Sequence, residues 1–442
     1  MPNPRPPYCA IDFGTSNSAI AIPAAGGGTR LVALETGEPT MPTAVFYFAE
    51  HESLPPGAEP PRAFGRAAVA AYVDGYDGRL MRSMKSILGS SLVEQSTDVG
   101  GGHAVKYLDV ITGYLRHLRH AAETALGTPI AHAVIGRPVF FVDGDAQRDA
   151  EAQASLEAAA RAVGLREVVF QYEPIAAAFD YERQAAHEQC VLVADIGGGT
   201  SDFSLVRVGP DRMHRPDRKD DILASHGVHV AGTDFDRRIE LATLLRELGC
   251  GAFGPARGDV PPREVPSAVY FDLATWHLIN TVYQPARVAE LKHMASFYAD
   301  PRHHRRLMRA VTERLGHELL ARAEAAKIAV ADGAGTRVDL GIVEPGLAVS
   351  LEASQATAAI EADVERIVDA ARETVRQAGS RAASVDALYF TGGSTGLALL
   401  TERLAAAFPG AQAVRGDRLA SVATGLGLHA QRWFAAAHQA QR

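Results

Sequence analysis

The chain is short of cysteine: Cys9, Cys190 and Cys250 are the only three in 442 residues, far apart and without Cys-x-x-Cys spacing. This excludes a disulfide scaffold and predicts a reducing, cytoplasmic setting. A basic block is also lacking. Lys and Arg total 44 against 52 Asp and Glu, a formal charge of -8, so the chain offers no phosphate-backbone footprint and nucleic acid is not an expected partner. No run approaches the roughly 18 apolar residues of a membrane span, and Met1–Tyr8 is Pro-rich with no apolar signal core, so neither membrane insertion nor secretion is expected. There is no Gly-Lys-Ser/Thr, which excludes a P-loop. His303 and His304 have no second ligand pair at metal spacing, so they read as solvated surface, while His117 and His120 sit on a helix whose face is left open.

What is present is strand alternating with helix. Apolar alternation predicts strands at Cys9–Phe13, Ser18–Ile22, Ala44–Phe48, Ala133–Val139, Val191–Ile196, Phe203–Val208 and Ala387–Thr391. Helical spacing of apolar residues predicts helices over Val105–Leu126 and Ala358–Ala378. The fold class is therefore α/β. Gly and Pro cluster at Gly26–Gly28, Pro55–Pro61, Gly251–Pro266 and Asp332–Gly335, and Pro210–Asp221 is a charged run; these read as loops or subdomain edges. Asp234–Ala331 has few strand signals and reads as a mostly helical insertion. Its aromatics Tyr270, Phe271, Trp276 and Tyr283 read as core, with a partner surface as the other reading.

One motif occurs twice. Ala10-Ile11-Asp12-Phe13-Gly14-Thr15-Ser16-Asn17-Ser18 and Ala194-Asp195-Ile196-Gly197-Gly198-Gly199-Thr200-Ser201-Asp202 each give a strand, an Asp, small residues and a second strand. A separation of this length suits two similar domains that face each other across a cleft. Glycines let backbone amides approach an anion, and Thr and Ser add hydroxyl donors. Asp12 and Asp195 at the strand ends are placed to hold the water shell of a phosphate-bound Mg²⁺. A third turn, Thr391-Gly392-Gly393-Ser394-Thr395-Gly396, reads as a wall of the same site.

These residues, with Glu173-Pro174-Ile175-Ala176-Ala177-Ala178, resemble the actin-like ATPase superfamily and, within it, the nucleotide-binding domain of the 70-kDa heat-shock (DnaK-type) chaperones. Ala133-Val134-Ile135-Gly136-Arg137-Pro138 and Val169-Phe170-Gln171-Tyr172-Glu173-Pro174 resemble, more narrowly, its short YegD-like branch. The resemblance implies two lobes, each built on a duplicated ribonuclease-H-like α/β domain with a five-stranded sheet. Lobe I is expected over 1–190, with an inserted subdomain at about 39–99. Lobe II is expected over 191–442, with the helical insertion at about 233–356 and a segment at about 415–442 that returns to lobe I. No peptide-binding domain is expected.

The implied cofactors are ATP or ADP and Mg²⁺. By the same resemblance Gly14, Thr15, Ser16 and Asn17 form the first phosphate loop and Gly197, Gly198, Gly199 and Thr200 the second. Asp12, Lys85, Glu173, Asp195 and Thr200 are the implied catalytic set, with Asp12 and Asp195 toward the metal through water. Gly232, Glu324, Lys327, Gly392, Gly393 and Ser394 complete the nucleotide site. Pro138 and Arg148 are the implied coupling pair, two residues further apart than in the family, and Asp234 is read as structural. The residue-level alternative for Glu324 and Lys327 is a plain i,i+3 ion pair. Two arginines that stack on adenine in the family are replaced by Ile328 and Gly396. The implied function is a slow ATPase of chaperone type, monomeric, acting on a protein client or co-chaperone-like partner in trans. The alternative is a nucleotide-gated binding or scaffold protein that does not hydrolyse.

Overall fold

The computed structural model describes residues 7–49, 59–100, 102–142, 144–215, 217–256, 261–331, 333–379, 385–417 and 420–440. The Pro-rich start, most of Pro55–Pro61 and parts of the Gly251–Pro266 and Asp332–Gly335 clusters lie outside the described residues.

The first sheet is built around β1 (Tyr8–Phe13), whose near-continuous burial fits a strand covered on both faces. β1 turns back into β2 (Asn17–Pro23), which pairs with β3 (Thr29–Leu31) near its end and with β4 (Thr40–Pro42) near its start. The chain then forms a small sheet of β5 (Ala44–Phe48), β6 (Arg62–Phe64) and β7 (Gly78–Arg82), covered by α1 (Gly65–Val73). A hairpin, β8 (Ser96–Gly100) and β9 (His103–Lys106), precedes α2 (Tyr107–Leu126), which stops at the left-handed Gly127. β10 (His132–Arg137) lies parallel to β1, and α3 (Ala146–Ala162) leads to β11 (Glu167–Tyr172). The strand order is β11-β10-β1-β2-β3 with β4 beside β2, so the expected five strands are six. The strand expected to reach Val139 stops at Arg137, because Pro138 has no amide to continue the ladder.

α4 (Glu173–Glu182) carries the chain to the second sheet, which starts with the antiparallel run β12 (Gln189–Ile196), β13 (Ser201–Val208) and β14 (Ile222–Val228). The helical stretch follows: α5 (Gly232–Ala242), α6 (Ala268–Leu273), α7 (Ile279–Val282), α8 (Pro285–His293), α9 (Pro301–Thr312) and α10 (Gly316–Ala329). It closes with the hairpin β15 (Thr336–Asp339) and β16 (Ala348–Leu351). α11 (Ala353–Ala378), β17 (Ala387–Thr391), α12 (Ala398–Ala407) and β18 (Gln412–Arg415) complete the sheet in the order β14-β13-β12-β17-β18. Last, α13 (Ser421–Ala440) packs on β1, β2, β3, β10 and α4.

Each sheet has its own apolar core, and a third core lies between them, lined by Ile175–Phe179 of α4 and by Leu426 and Phe434 of α13. α4 and α13 meet backbone to backbone: a Cβ on Gly425 would lie 1.9 Å from the Ala176 carbonyl oxygen. Tyr8 stacks on Phe434 with ring centroids 5.4 Å apart. The charged run Pro210–Asp221, expected as a loop or subdomain edge, consists in its described residues of turns and a short 3-10 helix, and it buries charge. Arg218 is fully enclosed, binding both Glu182 oxygens and Asp221, while Arg212 joins Asp221 and Glu188. Burial is tolerated here because each guanidinium is matched to carboxylates. Cys9, Cys190 and Cys250 are free thiols. Among the described residues no helix is long and apolar enough to cross a membrane.

Candidate functional site

The two Asp-Gly motifs fold into hairpins of matching register. In the first, Phe13 pairs with Ser18 and Asp12 with Ala19; in the second, Ile196 pairs with Ser201 and Asp195 with Asp202. Each loop thus has four residues, Gly14–Asn17 and Gly197–Thr200, and each Asp stands one residue before the closing pair. Both loops open on one cavity of about 1240 Å³ between the sheets.

The loops are tied back through their carbonyls. Thr43 Oγ1 donates to the Gly14 carbonyl at 2.8 Å and Thr43 N to that of Ser16 at 2.9 Å. Thr233 Oγ1 donates to the Gly198 carbonyl at 2.8 Å, and Ser394 Oγ to the Gly197 carbonyl at 2.6 Å. The Gly197 amide closes its own loop by donating to the Thr200 carbonyl at 3.0 Å, and successive amides after it in such a turn suit an anion. Gly392 must be glycine: its φ is +87°, and a Cβ would lie 2.4 Å from the Ile196 carbonyl oxygen and 2.7 Å from Asp195 Oδ1. A Cβ on Gly232 would strike Ser394 Oγ at 2.4 Å.

Lys85 follows β7 in a short 3-10 turn entered through Ser83 at φ 52°. Its ammonium is buried and ion-paired with Glu173, the first residue of α4, 88 positions away. Burial, reinforced by Glu173 and opposed by Lys85, raises the Asp12 carboxyl from 3.8 to about 8. Asp195 rises to about 7 through burial and then Asp202 and Glu173. Four acidic groups around one lysine leave the floor short of positive charge, and their donors are all oxygens, the set that suits a hard divalent cation. Among the described residues no group of three or more His, Cys, Asp or Glu converges as a ready-made metal cage. That fits Mg²⁺ held by phosphates and water with one or two carboxylates in support.

The cavity is lined by Asp12, Gly14–Asn17, Lys85, Pro138, Glu173, Asp195, Gly197–Thr200, Gly232, Glu324, Lys327 and Gly392–Ser394. Arg148 is not among them. It is exposed, and its Nε donates to the Gly89 carbonyl at 2.9 Å, tying α3 to the segment that follows Lys85. Lys327 does not pair with Glu324 but with Asp236 of α5 at 2.7 Å. Asp234 caps the start of α5 by accepting from Ala231 N at 3.0 Å, in keeping with a structural part.

Two residues escaped assignment from sequence. Asp202 lines the cavity, takes a hydrogen bond from Thr200 Oγ1 at 2.8 Å, and has its carboxyl raised mainly by burial. The signal was there, since Asp202 ends the second motif. Arg137 holds the Pro138 segment, binding the Pro138 and Val139 carbonyls, Asp149 at 2.8 Å and Gln153 at 2.5 Å. Nothing local in the sequence pointed to it.

Comparison with known proteins agrees with this construction. The family model described as Hsp70 protein matches residues 8–245. The "Chaperone protein HscA homolog" of Pseudomonas aeruginosa (strain LESB58) is 31% identical over 262 residues, covering 57% of this chain and 39% of that protein. The "Chaperone protein dnaK" of Gracilaria tenuistipitata var. liui is 29% identical over 240 residues, covering 52% of this chain and 36% of its own. The matched stretch is thus under two-fifths of either relative's length. On the family match, which takes in both Asp-Gly hairpins, Lys85 and Glu173, the chain belongs to the Hsp70 family.

Proposed function

We propose that this chain binds ATP with Mg²⁺ in the cleft between its two sheets and hydrolyses it slowly, as the nucleotide-operated part of a chaperone-like system acting on a protein partner in trans. The observation that carries this reading is the pair of hairpins in identical register, Asp12 and Asp195 included, opening on one cavity. In this reading lobe I is 1–190 and lobe II 191–442, each with its inserted unit. The amides of Gly14–Ser16 and Gly198–Thr200 bind phosphate oxygens, with Gly197 holding the turn through its bond to the Thr200 carbonyl. Asp12 and Asp195 orient water around Mg²⁺, which would neutralise phosphate charge. Lys85 reaches the terminal phosphate, and Glu173 and Thr200 hold the attacking water. Phosphoryl transfer needs little beyond such positioning and charge stabilisation. Glu324 and Lys327 flank the ribose, and the exposed Ile328 offers the base an apolar surface. Three free thiols support a reducing, cytoplasmic setting.

A second reading, nucleotide-gated binding without turnover, is favoured by the Lys85–Glu173 pair. While joined, neither group is free for phosphate or water. Single-turnover hydrolysis of radiolabelled ATP separates the two. Slow phosphate release that falls at least about 100-fold in Asp195→Ala and Lys85→Ala is the expected result. Tight binding with release no faster than in the variants leaves the second reading, and no ATP binding overturns both.

A further inference from the structure

The walls of the cavity touch again away from the phosphate loops. Tyr72 of α1 stacks on Trp276, which lies between α6 and α7, with centroids 4.9 Å apart and planes at 25°. The Arg82 guanidinium carbon lies 4.3 Å from the Trp276 ring centre. His317, on the first turn of α10, packs 5.1 Å from Trp276 and 5.4 Å from Tyr72. Arg82 ends β7 and leads through Ser83 into Lys85 on one wall; His317 shares its helix with Glu324 and Lys327 on the other. The contact therefore joins the small sheet to the helical stretch across the cleft. A stack and a cation-π contact of this size bias an opening equilibrium by about one or two orders of magnitude, enough to hold and weak enough to release.

We propose that Tyr72, Trp276, Arg82 and His317 form a clasp that holds the nucleotide cleft closed, and that protonation of His317 releases it. This rests on the reading of the cavity as a nucleotide site. His317 is 7% exposed and neither ring nitrogen has a hydrogen-bond partner, so an imidazolium there would be buried unpaired. The charged group facing it is itself a cation, Arg82 of β7. In the next layer Tyr283 accepts from Gly316 N at 2.9 Å with Arg314 over its ring. Glu240 of α5 lies toward Tyr283, its carboxyl held well above the ordinary range by burial and then by Asp236. His277 is exposed. Burial and then Arg82 push His317 from 6.5 to about 4 in the closed form, whereas an open form restores the ordinary value. Opening is thus favoured about thirtyfold at pH 5 relative to pH 7.5.

The test uses a Trp433→Phe background, which leaves Trp276 as the sole tryptophan of two. Its emission and acrylamide quenching are read in nucleotide-free protein from pH 7.5 to 5, and release of N-methylanthraniloyl-ADP is followed by stopped flow. The expected result is a red shift with greater quenching, and release rising about thirtyfold at pH 5. His317→Gln and His317→Phe should abolish both changes, and Trp276→Leu should release quickly at either pH. Emission that ignores pH, or a transition that persists in both His317 variants, overturns the clasp. Failure of the fluorescent ADP to bind at pH 7.5 overturns the nucleotide reading instead, and Trp276 emission then decides the clasp alone.

Discussion

His429 shows how a single side chain sets an acid limit on the fold. It sits on α13 with 7% exposure, Nδ1 lying 3.2 Å from Gln171 Nε2, and burial, then Arg432 and Arg218, push it from 6.5 to about 4. Its folded value lies below the unfolded one, so the unfolded chain binds the extra proton between about 6.5 and 4. Stability is intact above 6.5 and is lost as pH falls through that window. Between pH 7.5 and 5 this group's share of the cost is about 2 kcal/mol, and in urea unfolding His429→Gln should reduce the acid-side loss by about that amount. Equal pH dependence in the variant would show that other groups carry it. At the same scale, Gly392→Ala would force an L-residue to φ +87° and drive a Cβ against the Ile196 carbonyl and Asp195. It should cost about 1–3 kcal/mol and weaken ATP binding together, read by calorimetry on one preparation.

At the level of the element, the α4–α13 contact is the tightest backbone approach at any described glycine. Gly425→Ala should destabilise the protein by about 1–3 kcal/mol, and Gly425→Val by more, because the helices cannot separate without breaking the third core. Unchanged denaturation midpoints would show that α13 is looser than this packing implies. The same elements show what could be read in advance. β1, β2, β5, β12, β13 and β17 are buried enough to spell themselves as apolar runs. β3 and β18, on sheet edges, have three and four residues with hardly any burial, and β14 carries Ser225, His226 and Gly227 in mid-strand, so no alternation marked them. The hairpin loops were legible because their chemistry is local. The pairs Lys85–Glu173 and Lys327–Asp236 were not, since they join residues 88 and 91 positions apart through the tertiary fold.

For the whole molecule, the two loops lie on separate sheets, so a ligand that binds both ties the halves together. ATP with Mg²⁺ at about 100 times its Kd should add about 2.7 kcal/mol to stability. The thermal transition should rise accordingly, and Asp195→Ala should erase the rise; a rise that survives in the variant would place the stabilising ligand elsewhere. The return of α13 to β1 has a further consequence, in the order of synthesis. The first strand leaves the ribosome about four hundred residues before the helix that covers it. At about 5–20 residues per second, the Tyr8 face waits roughly 20 to 80 s for Phe434. Throughout that interval the nascent chain exposes the apolar surface that a folding assistant recognises, so a member of a chaperone family is itself, while being made, a natural client.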